Sequence, residues 1–411
     1  MKLLIKNIKW PHFFLVAFLI TGLLPTFGAI DKVGSQWLYL SLLNVIFFIF
    51  ISFIPFDFKL KHFFSLSIVR TFVFFIIVIF ISFFLSTNKA STIISISRWL
   101  TVFFSFFSFS ILLANTKNFA IVISYILSIV LLFELFYIYS SYFEILSVTN
   151  YSYQYATYLK GVTGNKNVAA SILALKIPFV LYALYYSKSL RLKVLLATIF
   201  IFGFYALLLV NSRTILLTLI ICTIIFVILS VFSKKFSLLK WLIIPFTTIL
   251  VFISNPFNEF SSFSLNQDRI TFSDASTTAR LDYYKLAWDY FIDHPIIGVG
   301  LANWKIESLA FQNKLMKDYT VSYHVHNDFL ELAVELGLFG VLAYLLLFAF
   351  GFRTVYLLRK NIFFLFLGAS LLIYFVDSML NFPMSRVSDQ IMFVLLMAFF
   401  VSPNSSINEN S

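Results

Sequence analysis

Between positions 192 and 232 run 41 residues whose only interior polar break is Asn211-Ser212-Arg213. As one helix at about 1.5 Å per residue, the run would reach roughly 60 Å, twice the roughly 30 Å hydrocarbon thickness of a bilayer. It has to fold back at that break, so the chain is built for a membrane. Composition agrees: 61% of the 411 residues are hydrophobic, 20% aromatic and 12% charged, against roughly a quarter charged in soluble domains. An ordinary soluble globule and a disordered chain are excluded. A single cysteine, Cys222, allows no internal disulfide, and its apolar surroundings without a basic neighbour read as a buried, unreactive thiol.

With about 20 residues per crossing as the ruler, twelve segments qualify: 12–30, 36–54, 63–85, 92–113, 119–140, 167–187, 192–210, 214–232, 238–254, 328–352, 361–380 and 387–402. The last is short. Lys2, Lys6 and Lys9 before an apolar stretch resemble a signal peptide, but 26–32 offers no small-x-small cleavage site, which predicts an uncleaved first span. With the N-terminus inside, the cytoplasmic segments hold fifteen Lys and Arg and the short outer loops six. The positive-inside rule therefore selects that orientation, and it also explains why the net charge of +12 is scattered. Nucleic-acid binding would need it clustered on one soluble face. The expected fold is an all-α polytopic membrane helix bundle of about 12 transmembrane helices. Its expected divisions are spans one to nine over 1–254, an outer loop domain over 255–326, spans ten to twelve over 327–402, and a short cytoplasmic tail over 403–411.

The loop domain carries six Lys and Arg and eight of the eighteen acidic groups. By parity it shares its side with the 141–166 loop, the Arg213 turn and the 381–386 connection. Within it, 277–293 predicts an amphipathic helix ended by Pro295, with Leu281, Tyr284, Trp288, Phe291 and Ile292 on one side and Asp282, Lys285, Asp289 and Asp293 on the other. Such a helix lies at the lipid interface or caps the bundle. Arg280 falls in its expected first turn, where a bound anion would relieve the opposition between a cation and the helix dipole. Arg213, at the expected start of the eighth span, is either an anion site or a snorkelling interfacial arginine.

His324-Val325-His326-Asn327-Asp328 leads into the tenth span. Histidines at i, i+2 can ligate a metal, but neither a His-Glu-x-x-His nor an Asp-x-Asp pattern accompanies them, so no metal site is assigned and no cofactor is expected. A helix start disfavours imidazolium, leaving His326 neutral and able to take a proton. Asp328, Glu331 and Glu335 fall on one stripe of the span, and carboxylates at that depth must face protein, water or a cation. Ala333, Gly337 and Gly340 form a small-residue surface that permits close helix contact. Arg70 and Lys176 fall within spans, with Glu134 as one possible partner.

The string His326-Asn327, nine residues, then Gly337-x-x-Gly340 resembles the signature of the O-antigen ligase and polymerase-like family, and Glu335 fits it. Arg280, the Asp293-His294-Pro295-Ile296-Ile297-Gly298-Val299-Gly300 stretch, Asn211-Ser212-Arg213 and Gly164-Asn165-Lys166-Asn167 are similar to its other marks. The resemblance implies a metal-independent, inverting glycosyltransferase of the GT-C class in the bacterial inner membrane. Its donor would be an undecaprenyl-diphosphate-linked glycan and its active site periplasmic. It implies Arg213 and Arg280 on the diphosphate and His326 on the acceptor hydroxyl, with His324, Asn327, Glu335 and Asn167 as further substrate-binding residues. The acceptor would be lipid A-core for an O-antigen ligase, or another lipid-linked repeat for an O-antigen, capsule or exopolysaccharide polymerase. No arginine has a glycine eleven residues later, the outer-loop pattern of O-antigen polymerases, which favours the ligase. A lipid-linked saccharide transporter and a non-catalytic assembly subunit are the rivals from other classes.

Overall fold

The computed structural model describes residues 10–24, 31–151, 153–212, 275–312 and 323–402. Arg213, Cys222 and the expected spans 214–232 and 238–254 lie outside the described residues. Those described are helical, with no strand among them, and eight of their helices are long and apolar enough to cross a membrane. This is a polytopic helical membrane protein.

By packing, the chain divides into two compact units. The first comprises 1–119, 275–360 and 378–411, the second 120–274 and 361–377.

In the first unit the described helices begin with α1 (Trp10–Leu19), α2 (Lys32–Ser52), α3 (Leu60–Ser65), α4 (Ser67–Leu85) and α5 (Lys89–Ala114). Within the first expected span α1 ends at Leu19 and a 3-10 turn follows at Thr21–Leu23, and the third is broken at Leu66 into α3 and α4. Asp31 and Asn88 start α2 and α5 by accepting from Gly34 N (2.8 Å) and Ser91 N (3.0 Å), the usual side-chain capping of orphan helix donors. Asn44 of α2 ties the two helices together, donating to Ser105 Oγ at 2.8 Å and accepting from Ser108 Oγ at 2.9 Å. A buried amide is tolerable there because both its ends are satisfied.

The second unit holds α6 (Phe119–Val148, its first residue in the other unit), α7 (Lys166–Tyr186) and α8 (Leu190–Val210). Asn211 ends α8 in the left-handed region (φ 51°), so the chain leaves the helix at the polar break that its length demands. Lys176 of α7 meets Glu134 of α6 at 2.8 Å and Ile172 O at 3.0 Å, all buried. The partner left open by the sequence is thus Glu134.

The first unit resumes with α9 (Ala275–Asp293), α10 (Trp304–Gln312) and α11 (Asp328–Leu357). The chain then forms α12 (Ile362–Leu380), which ends in the first unit, and α13 (Val387–Val401). The side chains of α13 are buried almost throughout, which accounts for a short helix apolar on every side: it is core of the first unit. Phe348 and Phe393 pack on Tyr344, Phe393 meets Phe72, and Phe72 stacks on Phe106, a chain of rings that joins α4, α5, α11 and α13. On α2 and α4 the opposite faces expose Leu38, Leu42, Val45 and Ile49, and Phe74, Ile77, Ile81 and Phe84, as lipid-facing helices must.

Two expectations need correction. Gly337 does not serve helix-to-helix packing: at φ 68°, ψ −165° it breaks α11, and its missing Cβ makes room for Ile296 O. The opened backbone takes new partners from 295–300. Val299 N and Gly300 N donate to Val334 O and Glu335 O, each at 2.9 Å, and Leu338 N donates to Pro295 O at 2.8 Å. Gly298 is needed because a Cβ there would meet Val334 O. On α9, the side facing the core carries Leu286, Ala287 and Tyr290, clustered with Val299, Trp304, Val325 and Val334. Leu281, Trp288 and Ile292 are exposed instead, while Tyr284 and Phe291 pack partly against that cluster.

Candidate functional site

Asn327 begins α11 with its side-chain oxygen accepting from Phe329 N (3.0 Å) and Leu330 N (3.1 Å). That cap turns the preceding residue sharply, and His326 sits at φ 61°, a left-handed conformation uncommon for a residue with a Cβ. Tyr284 Oη holds it from α9 by donating to His326 O at 2.9 Å, while the ring of Tyr283 stacks parallel to the imidazole at 6.3 Å. From the 381–386 connection, Phe382 meets the same imidazole edge-on at 5.0 Å.

These contacts enclose His326 Nδ1, which has no hydrogen-bond partner among the described residues; Nε2 is not so enclosed. Burial pushes the imidazole pKa down to about 4, and the charge of Arg280 is the next cause, ahead of His324; Glu331 acts in the opposite sense. Arg280 stands one turn before Tyr283 and Tyr284 on α9 and donates through Nη1 to Leu380 O at 3.1 Å. Because α9 begins at Ala275, Arg280 lies in its second turn rather than the expected first. Its placement therefore owes nothing to free N–H groups at the helix start.

The three carboxylates of α11 are all buried and all engaged. Asp328 Oδ2 accepts from Met384 N at 3.1 Å. Glu331 meets His324 Nδ1 and Val325 N, each at 2.9 Å, and so fixes the loop that carries His326. Glu335 accepts from Trp304 N at 3.2 Å. His324 stacks on the other contact of the site, Phe382, at 4.5 Å, and Arg386 lies over the same ring at 4.3 Å.

Of the residues singled out from the sequence, His326, Arg280, His324 and Asn327 come together in the first unit, which also holds Glu335. Asn327 spends its carbonyl oxygen on capping, and Glu335 faces the 301–304 turn. Asn167 belongs to the second unit, where its backbone N–H completes the cap made by Asn165 at 2.9 Å. Arg213 lies outside the described residues. Among the described residues, no group of three or more His, Cys, Asp and Glu is placed to hold a metal ion.

Sequence reading missed Tyr283, Tyr284 and Phe382 as the walls around His326, and Arg98 and Lys305 near His324 and Glu335. A signal for Arg98 was present, since it is a cation within an apolar span. The aromatics gave none, because 55 phenylalanines and 21 tyrosines hide any particular one.

A multi-pass helical membrane protein in which one histidine is kept neutral beside a permanent cation defines a class able to hold an anion and take up a proton. Residues 198–345, which contain Arg213, Arg280, His326, Gly337 and Gly340, match the family model described as O-antigen ligase. The match bears out, over those residues, the resemblance read from the sequence. No curated protein matched the chain.

Proposed function

We propose that the protein transfers a glycan from undecaprenyl diphosphate to an acceptor hydroxyl at the periplasmic face of the bacterial inner membrane, as an O-antigen ligase acting on lipid A-core. The observation that carries this reading is His326, neutral, with Nδ1 enclosed and Nε2 left for a substrate, in the electrostatic reach of Arg280.

The acceptor oxygen attacks the anomeric carbon from the side opposite the diphosphate, and its proton passes to His326 Nε2. The bond from the anomeric carbon to the diphosphate oxygen breaks with its electron pair, so the configuration inverts. Undecaprenyl diphosphate departs as a stable anion and needs cations more than a proton donor; guanidinium forks suit its oxygens. Arg280 and Arg213 supply them, with no metal step. An imidazole at about 4 is a weak base, but the charge of a bound diphosphate offsets Arg280 and raises it towards its ordinary range. A positioned base of this kind contributes roughly 100-fold to 10,000-fold.

The test is purified protein reconstituted with lipid-linked glycan and two competing acceptors, lipid A-core and carrier-linked repeat. Extension of lipid A-core with release of undecaprenyl diphosphate is expected; extension of the repeat alone makes the enzyme a polymerase. Binding of the donor without its consumption would instead mark a transporter. His326→Ala should abolish release in a folded protein, and full turnover by that variant would remove the base assignment.

A further inference from the structure

Within the first unit, with His324 in its wall, lies a cavity of about 270 Å³, room for a group of monosaccharide size. Two of its walls carry cations, Arg98 from the interior of α5 and Lys305 from the first turn of α10. A charge inside a membrane-crossing helix is retained against a large desolvation cost, and it faces a partner or a ligand. Arg98 makes no hydrogen bond or close ion pair with any described residue; its guanidinium lies over the Trp37 ring at 5.9 Å. Asp31, the opposite charge that reaches it, is exposed and spends an oxygen on Gly34 N. Lys305 likewise has no close ion pair among the described residues.

Two carboxylates line the same cavity, each with partners of its own. Both oxygens of Glu331 are taken by His324 Nδ1 and Val325 N, and Glu335 accepts from Trp304 N. Lys305 lies within electrostatic reach of Glu335, whereas Arg98 has no carboxylate of the cavity engaged with it by hydrogen bond or close ion pair. Its other walls suit a sugar: the hydroxyls of Ser91, Ser95 and Ser385, and the exposed ring of Tyr323, a flat apolar surface for the face of a pyranose. His324 lines the cavity, and the Phe382 ring on which it stacks also meets His326 edge-on.

We propose that this cavity is a saccharide subsite for an acidic sugar residue, bearing a carboxylate or a phosphate, whose charge is held by Arg98 and Lys305. The assignment rests on the transferase reading above and adds to it the chemical class of a glycan substrate.

The full-length protein in nanodiscs is titrated with methyl glucuronoside, glucose 1-phosphate, methyl glucoside and inorganic phosphate, and binding is read by calorimetry. One or both acidic sugars should bind saturably and at least tenfold more tightly than the neutral glucoside or phosphate alone; the tighter of the two identifies the acidic group. Arg98→Gln and Lys305→Ala should each weaken that binding tenfold or more, and His326→Ala should leave it unchanged. Should Arg98→Gln fail to fold, the partly exposed Lys305→Ala carries the comparison. Equal affinity for the neutral glucoside or for phosphate, no saturable binding, or undiminished binding by Lys305→Ala overturns the proposal. Loss of the transferase reading shows separately, as His326→Ala that still turns over.

Discussion

At the scale of single residues, His326 is the group whose behaviour can be forecast in most detail. Its pKa is about 4 in the folded protein, below the ordinary 6.5 or so of an unfolded histidine. The unfolded chain thus binds this proton more readily, so the associated stability is complete above about 6.5, falls as pH drops towards 4 and is level below that. In pH profiles of transfer, the acid limb of kcat/KM, which reports the free enzyme, should lie near 4. The limb of kcat should lie higher, because bound diphosphate offsets Arg280; coincident limbs would contradict a donor seated on that arginine. Arg280→Gln should also raise the imidazole pKa in the unliganded protein, as read by NMR titration, and an unmoved value would place the guanidinium's charge out of range. The sequence made this histidine legible, and its neutrality too, but for a different reason. The helix start was the expected cause; enclosure by Tyr283 and Phe382, and Arg280 nearby, are the ones found, and they come from elements remote along the chain.

At the scale of elements, the break in α11 is the feature with the clearest mutational consequence. Gly337→Ala puts a side chain at φ 68° and against Ile296 O. Left-handed backbone alone costs about 1–3 kcal/mol, and the collision adds to it, so thermal unfolding in detergent should show a clear fall in Tm; an unchanged Tm would mean the break is not needed. The pair joining α6 to α7 behaves differently. Glu134→Leu leaves Lys176 charged and buried without its carboxylate, a loss of about 3–5 kcal/mol, whereas the double replacement Glu134→Leu with Lys176→Met should recover most of it. Denaturant titration of both variants checks this, and a double variant no better than the single would show that the ion pair itself stabilises. Among the described residues, helix positions were largely legible from apolar runs, whereas the caps at Asp31, Asn88, Asn165 and Asn327 emerged only in the structure. The facing of α9 was not. Lipid and protein interior are equally apolar, so periodicity finds a stripe such as Leu281, Trp288 and Ile292 without saying which of two apolar surroundings it meets.

At the scale of the whole molecule, the Lys and Arg bias expects residues 117 and 188 on the cytoplasmic side and residues 89 and 289 on the other. Single cysteines at these positions, in a chain whose Cys222 is replaced, should react with a membrane-impermeant maleimide from opposite sides; labelling of all four from one side would invert or break the orientation. Finding membrane-crossing helices, of which eight stand among the described residues, needed only hydropathy, and finding the family's marks needed only spacing. Arg98 and Lys305 stayed hidden because nothing in the order of residues tells which cations will share a cavity. The backbone seam between 295–300 and the broken turn of α11 also has a mechanical meaning. It clasps the segment that follows α9 to a membrane-crossing helix, and Tyr284 of α9 is tied to His326. A displacement of the first half of α11 therefore draws α9 with it, so that Arg280 and His326 keep their spacing while the rest of the bundle moves around them.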